Sequence, residues 1–220
     1  MTSTTSHQPV SRSSRAAVST RARLAALAVS SPLWAVVSLA QAVTREGFDL
    51  TRHPLSMLAT GSLAWLQIAN FVIAGGLAVA SAAGMKKVLP SSRWVPRLLV
   101  TYGVGYILSG IFTLDAGGGF PAGTPTDTAA VLSWHAIVHL IVGMVAFIAL
   151  AAVLIIVGRQ FARRSLRAWA ALSFAGAAMV IIGNLIASAQ VGSPSLALAV
   201  GVLFGMLTLS AIAAKLRRQV

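Results

Sequence analysis

Apolar residues fall into six runs of membrane-spanning length: Leu24–Val43, Leu63–Ala83, Leu98–Leu114, Ala129–Val157, Ala168–Ser188 and Leu196–Ala214. A hydrocarbon core of about 30 Å is crossed by roughly 20 helical residues, so each run predicts one transmembrane helix. The fourth run exceeds that need and should tilt or project beyond the bilayer. Residues 1–22 (MTSTTSHQPVSRSSRAAVSTRA) are polar, rich in Ser and Thr, and without apolar periodicity, which predicts a disordered basic cytoplasmic tail. His7 lies within it. The basic residues before Leu24 also suit a signal peptide, but no small-residue cleavage site ends the run, so it is assigned as the first helix. Residues 23–220 then form one six-helix transmembrane domain. The expected fold is an all-α integral membrane protein, a six-transmembrane-helix bundle.

Charge orients the bundle. Of the 17 Lys and Arg residues, all but Arg45 and Arg52 fall in the N-terminal tail, the second and fourth inter-helix stretches, or the C-terminal end. The four acidic residues, Glu46, Asp49, Asp115 and Asp127, all fall on the opposite side. Basic residues are retained in the cytoplasm, so both termini are expected there, with the protein in the cell (plasma) membrane. At 57% hydrophobic and 10% charged, the chain departs from the roughly one-quarter charged content of soluble domains. Its net charge of +13 is spread over segments that flank apolar runs, a pattern that favours membrane lipids as partners over nucleic acid. There are no cysteines, which excludes disulfides, thiolate catalysis and Cys-ligated metal centres.

Small residues recur inside the runs, at Gly75 and Gly76, Gly103 and Gly105, and Gly201 and Gly205. The last pair has the GxxxG spacing that lets helix backbones approach, here read as packing within the chain.

Chemically capable side chains gather toward the side that carries the acids. His135 and His139 share one face of the fourth helix at i,i+4 spacing. Two nitrogens so placed suit one divalent metal such as zinc, with Asp115 as an oxygen ligand and His53 as a further one, and such a metal would activate water. The competing reading is that both histidines hydrogen-bond across helices. Asp115 ends the third run and is either solvated or partnered by His135 or Arg52. Asp127 suits a helix N-cap. Glu46 and Asp49 are expected to form exposed pairs with Arg45 and Arg52. Ser56 follows His53 in His-Pro-Leu-Ser, so a Ser/His nucleophile pair is conceivable, although no Gly-x-Ser-x-Gly elbow surrounds it and a helix cap competes. Gln67 and Asn70, and Asn184, Ser188 and Gln190, lie at the same depth. The run AGGGFPAGTP (Ala116–Pro125) lacks the Lys-Ser/Thr of a phosphate loop and predicts a shaped loop or lid. Trp65, Trp94, Trp134 and Trp169 sit where interfacial anchors belong, and Trp134 also suits a pocket wall.

Three segments, FDLTRHPLSMLATGSLAWLQIANFVIAGGL, GIFTLDAGGGFPAGTP and SWHAIVHLIVG, together resemble a bacterial membrane-protein family, common among actinobacteria, known only as domain of unknown function nine-nine-eight. The resemblance covers most of the chain beyond the basic tail. It implies a six-helix membrane protein in which His53, Pro54, Ser56, Asp115, His135 and His139 are family-pattern positions, and it implies no reaction. Relatives often have Asp-Pro where this chain has Asp115-Ala116. In its site alone, the chain is also similar to membrane hydrolases, such as alkaline ceramidases, that set Ser, Asp and a His-x-x-x-His helix around zinc. Those have seven helices, and here His53 and Ser56 come in the reverse order and in a loop.

Two functions fit these residues. One is a metal-dependent hydrolase of a lipid or amphiphile, with metal on His135, His139 and Asp115 and assistance from Ser56 or His53. The other is a non-enzymatic protein that binds or moves a lipid or small solute, with the same side chains as a hydrogen-bonding pocket. The charge pattern makes a direct prediction: reporter fusions at Ser91 and Gln160 report cytoplasm, and fusions at Gly118 and Gly192 report the exterior. A cytoplasmic signal from Gly118 would reverse the orientation.

Overall fold

The computed structural model describes residues 12–126 and 132–220, and within them the chain is helical apart from its connections. Six helices follow in order: α1 (Arg12–Thr44), α2 (Ala64–Val88), α3 (Trp94–Ile111), α4 (Trp134–Arg163), α5 (Arg167–Ala189) and α6 (Pro194–Arg217). A short 3-10 helix, Leu55–Ala59, lies between α1 and α2. All but α3 are long and apolar enough to cross a membrane. With 18 residues, Pro96 and Arg97 in its first turn and two tyrosines along it, α3 is the short, more polar member. Six spans were expected; the described residues form six helices, of which five have the length and composition of a membrane span.

Helix α1 starts at Arg12, earlier than the boundary expected at residue 23. Residues 12–22 are therefore helical, not disordered. In this stretch Thr20 is buried where α1 passes Gly84 of α2. Residues 1–11 lie outside the described residues, as does Asp127 with its expected capping role. The cap of α4 is instead Ser133, whose side chain accepts from the Ala136 N–H.

Each helix packs along its neighbour in sequence, and α6 closes back on α1, so the six form a ring. A hydrogen bond from Ser210 Oγ to the Leu27 carbonyl (2.9 Å) ties that closing seam, and Ser30 Oγ to the Ala74 carbonyl (2.9 Å) ties α1 to α2. Glycines set the closest approaches. A Cβ on Gly75 would press into the Gly103 carbonyl oxygen, and one on Gly103 into the Gly75 carbonyl, so α2 and α3 meet backbone to backbone. On the other side of the ring Gly201 lies against Met179 and Gly183 of α5. Gly205 also faces α5, at Val180 and Gly176, which agrees with packing inside the chain.

The ring has two unlike ends. At the basic end its centre is filled by Leu24, Leu99, Leu154, Phe161, Ile212 and Leu216, all buried. The other end, where α1, α3 and α5 finish, is covered by the connections 45–63 and 112–126, called here the cap. Trp65, Trp94 and Trp134 are more than half exposed near helix ends, as interfacial anchors should be.

These contacts predict opposite outcomes for two glycines. Gly201→Ala drives a methyl into the Met179 carbonyl and should cost about 1–3 kcal/mol, the usual penalty of overpacking. Gly76→Ala meets open space and should gain up to about 1 kcal/mol from helix propensity. Thermal unfolding in detergent reads both, and equal shifts would contradict the close approach.

Candidate functional site

The cap is organised by two residues that sequence reading placed in other roles. Arg45 donates to the carbonyls of Leu58 and Thr60, and its guanidinium lies 4.7 Å above the Phe120 ring. It holds the end of the 3-10 helix rather than pairing with an acid. His53 is buried, and its Nδ1 accepts from the Asp49 N–H (3.0 Å). That fixes the proton on Nε2, which donates to the Gly118 carbonyl (2.9 Å). Both nitrogens are thus committed, and Phe48 and Phe120 pack against the ring at 5.6 Å. His53 latches one cap segment to the other and has no nitrogen left to serve Ser56 as base or a metal as ligand. Asp49 forms a local turn, its Oδ1 accepting from the Thr51 N–H and hydroxyl. Those bonds, with smaller help from Arg52, hold its carboxyl below the ordinary range.

The two helix histidines face the unwound end of α3. An α-helix leaves its last carbonyls without intrahelical donors. His139 Nδ1 lies 3.0 Å from the Ser109 carbonyl and 2.7 Å from that of Phe112, and His135 Nδ1 lies 3.0 Å from that of Thr113. Carbonyls only accept, so each Nδ1 carries the proton, and the i,i+4 spacing becomes a two-rung clasp between α4 and the end of α3. Asp115 completes it: its Oδ2 accepts from the Ser133 N–H and its Oδ1 from the Ser133 hydroxyl, both at 2.7 Å. His135 Nε2 is 3.9 Å from Asp115 Oδ1. Partial burial pushes the Asp115 carboxyl up, but the two Ser133 bonds and His135 outweigh it, leaving it below its ordinary value.

Among the described residues no three His, Asp or Glu side chains gather into a metal-binding group. His135, His139 and Asp115 are neighbours along the clasp, the two Nδ1 atoms on α3 carbonyls and the carboxylate on Ser133, with both Nε2 atoms outside those bonds. Trp134 is mostly exposed and packs edge-on against Phe112 at 5.7 Å, and it does not line a pocket. Gln67 and Asn70 also turn away from the site. Gln41 Nε2 donates to Gln67 Oε1 (2.7 Å), Gln67 Nε2 to Ser38 Oγ (2.9 Å), and Asn70 Nδ2 to the Trp34 carbonyl (3.1 Å), a buried polar seam between α1 and α2.

Beneath the cap, the ring encloses a cavity of about 720 Å³. Its floor and walls are Trp34, Phe71, Tyr106, Phe147, Ala199 and Val202. A bar crosses the floor, the Tyr106 hydroxyl reaching Met206 Sδ at 2.9 Å. Polar groups crowd the mouth: Arg52, Ser56 and Asp115 from the cap, and Asn184, Ser188 and Ser195 from α5 and α6. His139 lines it too, with Nδ1 tied back to α3 so that Nε2 is the nitrogen left for a ligand. Ser56, Asp115 and His139 therefore share one space, whereas His53 borders it only through its latch and His135 lies outside its lining. Sequence reading had picked out Asn184 and Ser188 but missed Trp34, Tyr106, Arg52 and Ser195. A tyrosine in the middle of an apolar run was the available signal for Tyr106.

Fold and site together define an all-helical, multi-pass membrane protein with a hollow centre. Residues 28–215 match the family described as Protein of unknown function (DUF998), and the chain belongs to that family. No curated protein and no solved structure matches it.

The clasp predicts that His139→Ala lowers unfolding stability by about 1–2 kcal/mol, the scale of interhelical hydrogen bonds in membranes, and that the half-exposed His135 costs less. The Asp115 carboxyl is lowered on folding, so its contribution is full above the unfolded value of 3.8 and fades as pH falls through the folded one. Asp115→Asn should therefore lower the pH 7 unfolding midpoint slightly and flatten the acid limb of a midpoint-against-pH curve. An acid limb identical to wild type would show that the carboxylate makes no such contribution.

Proposed function

We propose that this protein sits in the plasma membrane with its basic end and both termini in the cytoplasm, and that it binds a lipid or other amphiphile, without chemistry, in the cavity beneath the outer cap. The observation that carries this reading is the cavity itself. Its volume falls within the roughly 300–1,000 Å³ range of ligand sites, its deep walls are apolar, and its hydrogen-bonding groups stand at one end. That division matches a molecule with a tail and a head.

Hydrolysis would need a base for Ser56 or a metal to activate water. His53 has both nitrogens occupied, and among the described residues no three His, Asp or Glu side chains gather into a metal-binding group. The same partners make sense if the polar groups only shape and rim a pocket. The packed centre at the basic end favours holding a ligand over passing it through.

Gly143 gives a direct test. It lines the cavity, and a Cβ there meets only Ser109 Oγ, at 3.9 Å. Gly143→Phe should fill the space while keeping the fold. Mass spectrometry of organic extracts from purified protein should find a stoichiometric amphiphile with wild type and none with Gly143→Phe at an unchanged unfolding temperature. Equal amounts in both would overturn the reading. Zinc present at one equivalent in wild type and lost from both His135→Ala and His139→Ala would restore the hydrolase.

A further inference from the structure

The wall of the cavity is incomplete on one side. Helix α4 packs unevenly along its length. Before Ala149 its only buried residues are Ala136, His139 and Ala146, and the last two face α3, through the α3 carbonyls and Gly105. Beyond Ala149 its buried residues are dense, and Gly158 and Phe161 meet Phe174 and Trp169 of α5. Helix α5 shows the complementary pattern: no residue after Gly183 is buried, and Gly183 itself faces α6. Thus α4 and α5 are joined at the basic end and unsealed toward the cap. Leu140 and Met144 stand at this gap, lining the cavity while 48% and 41% exposed. With α5 unburied past Gly183, their exposure leaves the flank of the cavity open between α4 and α5, at apolar residues suited to lie among acyl chains.

The other approach is obstructed. The cap segments, locked by the His53–Gly118 bond, the Arg45 contacts and the Phe48–Phe120 pair at 5.1 Å, lie over the end of the cavity. At the mouth, near the α5–α6 turn, stands Arg52. The Ser195 hydroxyl donates to its carbonyl (2.8 Å), which fixes that part of the loop against the start of α6. No carboxylate among the described residues lies within 4 Å of its guanidinium. The other charged group of the lining, Asp115, is bonded to Ser133 through both of its oxygens.

Resting on the cavity reading above, we infer that the ligand is an anionic lipid of the cap-side leaflet, admitted sideways between α4 and α5, with its acyl chain on the apolar floor and its headgroup at Arg52. The geometry suits such a molecule in three respects. The gap opens at acyl-chain depth, since Met144 lies ten residues, or about 15 Å, along α4 from Trp134. The polar groups Ser188, Asn184 and Ser195 line the headgroup end beside the gap. Among the described residues of the lining, Arg52 is the cation without a carboxylate in reach, and it offers a counter-charge to a phosphate.

Trp34 supplies the probe. It lines the cavity and is only 3% exposed, so a bilayer lipid outside the ring does not touch it. With Trp65, Trp94, Trp134 and Trp169 changed to Phe, its fluorescence reports chains that enter. The protein is reconstituted into vesicles of phosphatidylcholine containing a minor fraction of chain-brominated phosphatidylglycerol or, in parallel, chain-brominated phosphatidylcholine. The brominated phosphatidylglycerol should quench Trp34 at about fivefold lower content, the scale of one basic residue acting on an anionic headgroup. Arg52→Gln should bring the two lipids to parity, and Ala187→Phe, at the gap, should slow quenching after vesicle mixing. Quenching by neither lipid would overturn the inference, and if a water-soluble amphiphile still co-purified, the wider cavity reading would survive it. Equal quenching in wild type would overturn the headgroup assignment, and selectivity unchanged by Arg52→Gln would overturn the role of Arg52.

Discussion

The unsatisfied carbonyls at the end of α3 are the constraint around which the cap end is built. In a medium without water, an unpaired backbone carbonyl is costly, and a helix that stops near the membrane boundary must find donors nearby. Here α4 provides them from His139 and His135, one turn apart, to Ser109, Phe112 and Thr113. The clasp fixes the height of α4 against α3, and Asp115 and Ser133 then join the end of one helix to the start of the next. The segment after Asp115 is aimed over the ring, where Gly118 meets His53. The roof of the cavity thus depends on where α3 is allowed to stop.

The closely packed glycine faces have the opposite effect, drawing α2 to α3 and α5 to α6. Pairs of helices that approach backbone to backbone concentrate their contacts at the seams and leave the ring centre to side chains alone. At the basic end those side chains are long, and Leu154, Phe161 and Leu216 meet across it. Toward the cap the inward positions include Gly143, Ala187, Ser109 and Ala199, too small to meet. A hollow follows from residue size, without any strain in the helices.

Much of the fold was legible because its signals are one-dimensional. The apolar runs gave six helices, and the small residues marked Gly75, Gly103 and Gly201 as contact points. Helix rotation was not legible. Asn70 and Asn184 look alike in sequence, each polar, within a span and near the same end. Packing turns the first into the α1–α2 seam and the second into the cavity. The histidine pair shows a second limit. Spacing established that His135 and His139 share a face, but that their Nδ1 atoms meet backbone acceptors depended on α3 unwinding at Phe112, a tertiary fact. His53 was misread for a related reason, since its partners, the Asp49 N–H and the Gly118 carbonyl, are backbone groups that no residue pattern announces.

The polar inventory of the cavity also bears on what it can do. His53, Asp115 and the Nδ1 of His139 hold the mouth in shape, which leaves the Nε2 of His139 as the ring nitrogen open to a bound molecule. A pocket that invests its ionisable side chains in architecture is suited to recognition, where a rigid rim improves selectivity by lowering the ordering cost of binding. On the proposed reading, the Ser56 hydroxyl and the Arg52 guanidinium, both in the lining, would read the head of a ligand whose tail lies on the apolar floor. An open flank between α4 and α5 fits the same logic. A ligand with a long chain already lies in the membrane, and a side opening spares that chain a passage through water, where each exposed methylene would cost about 0.8 kcal/mol.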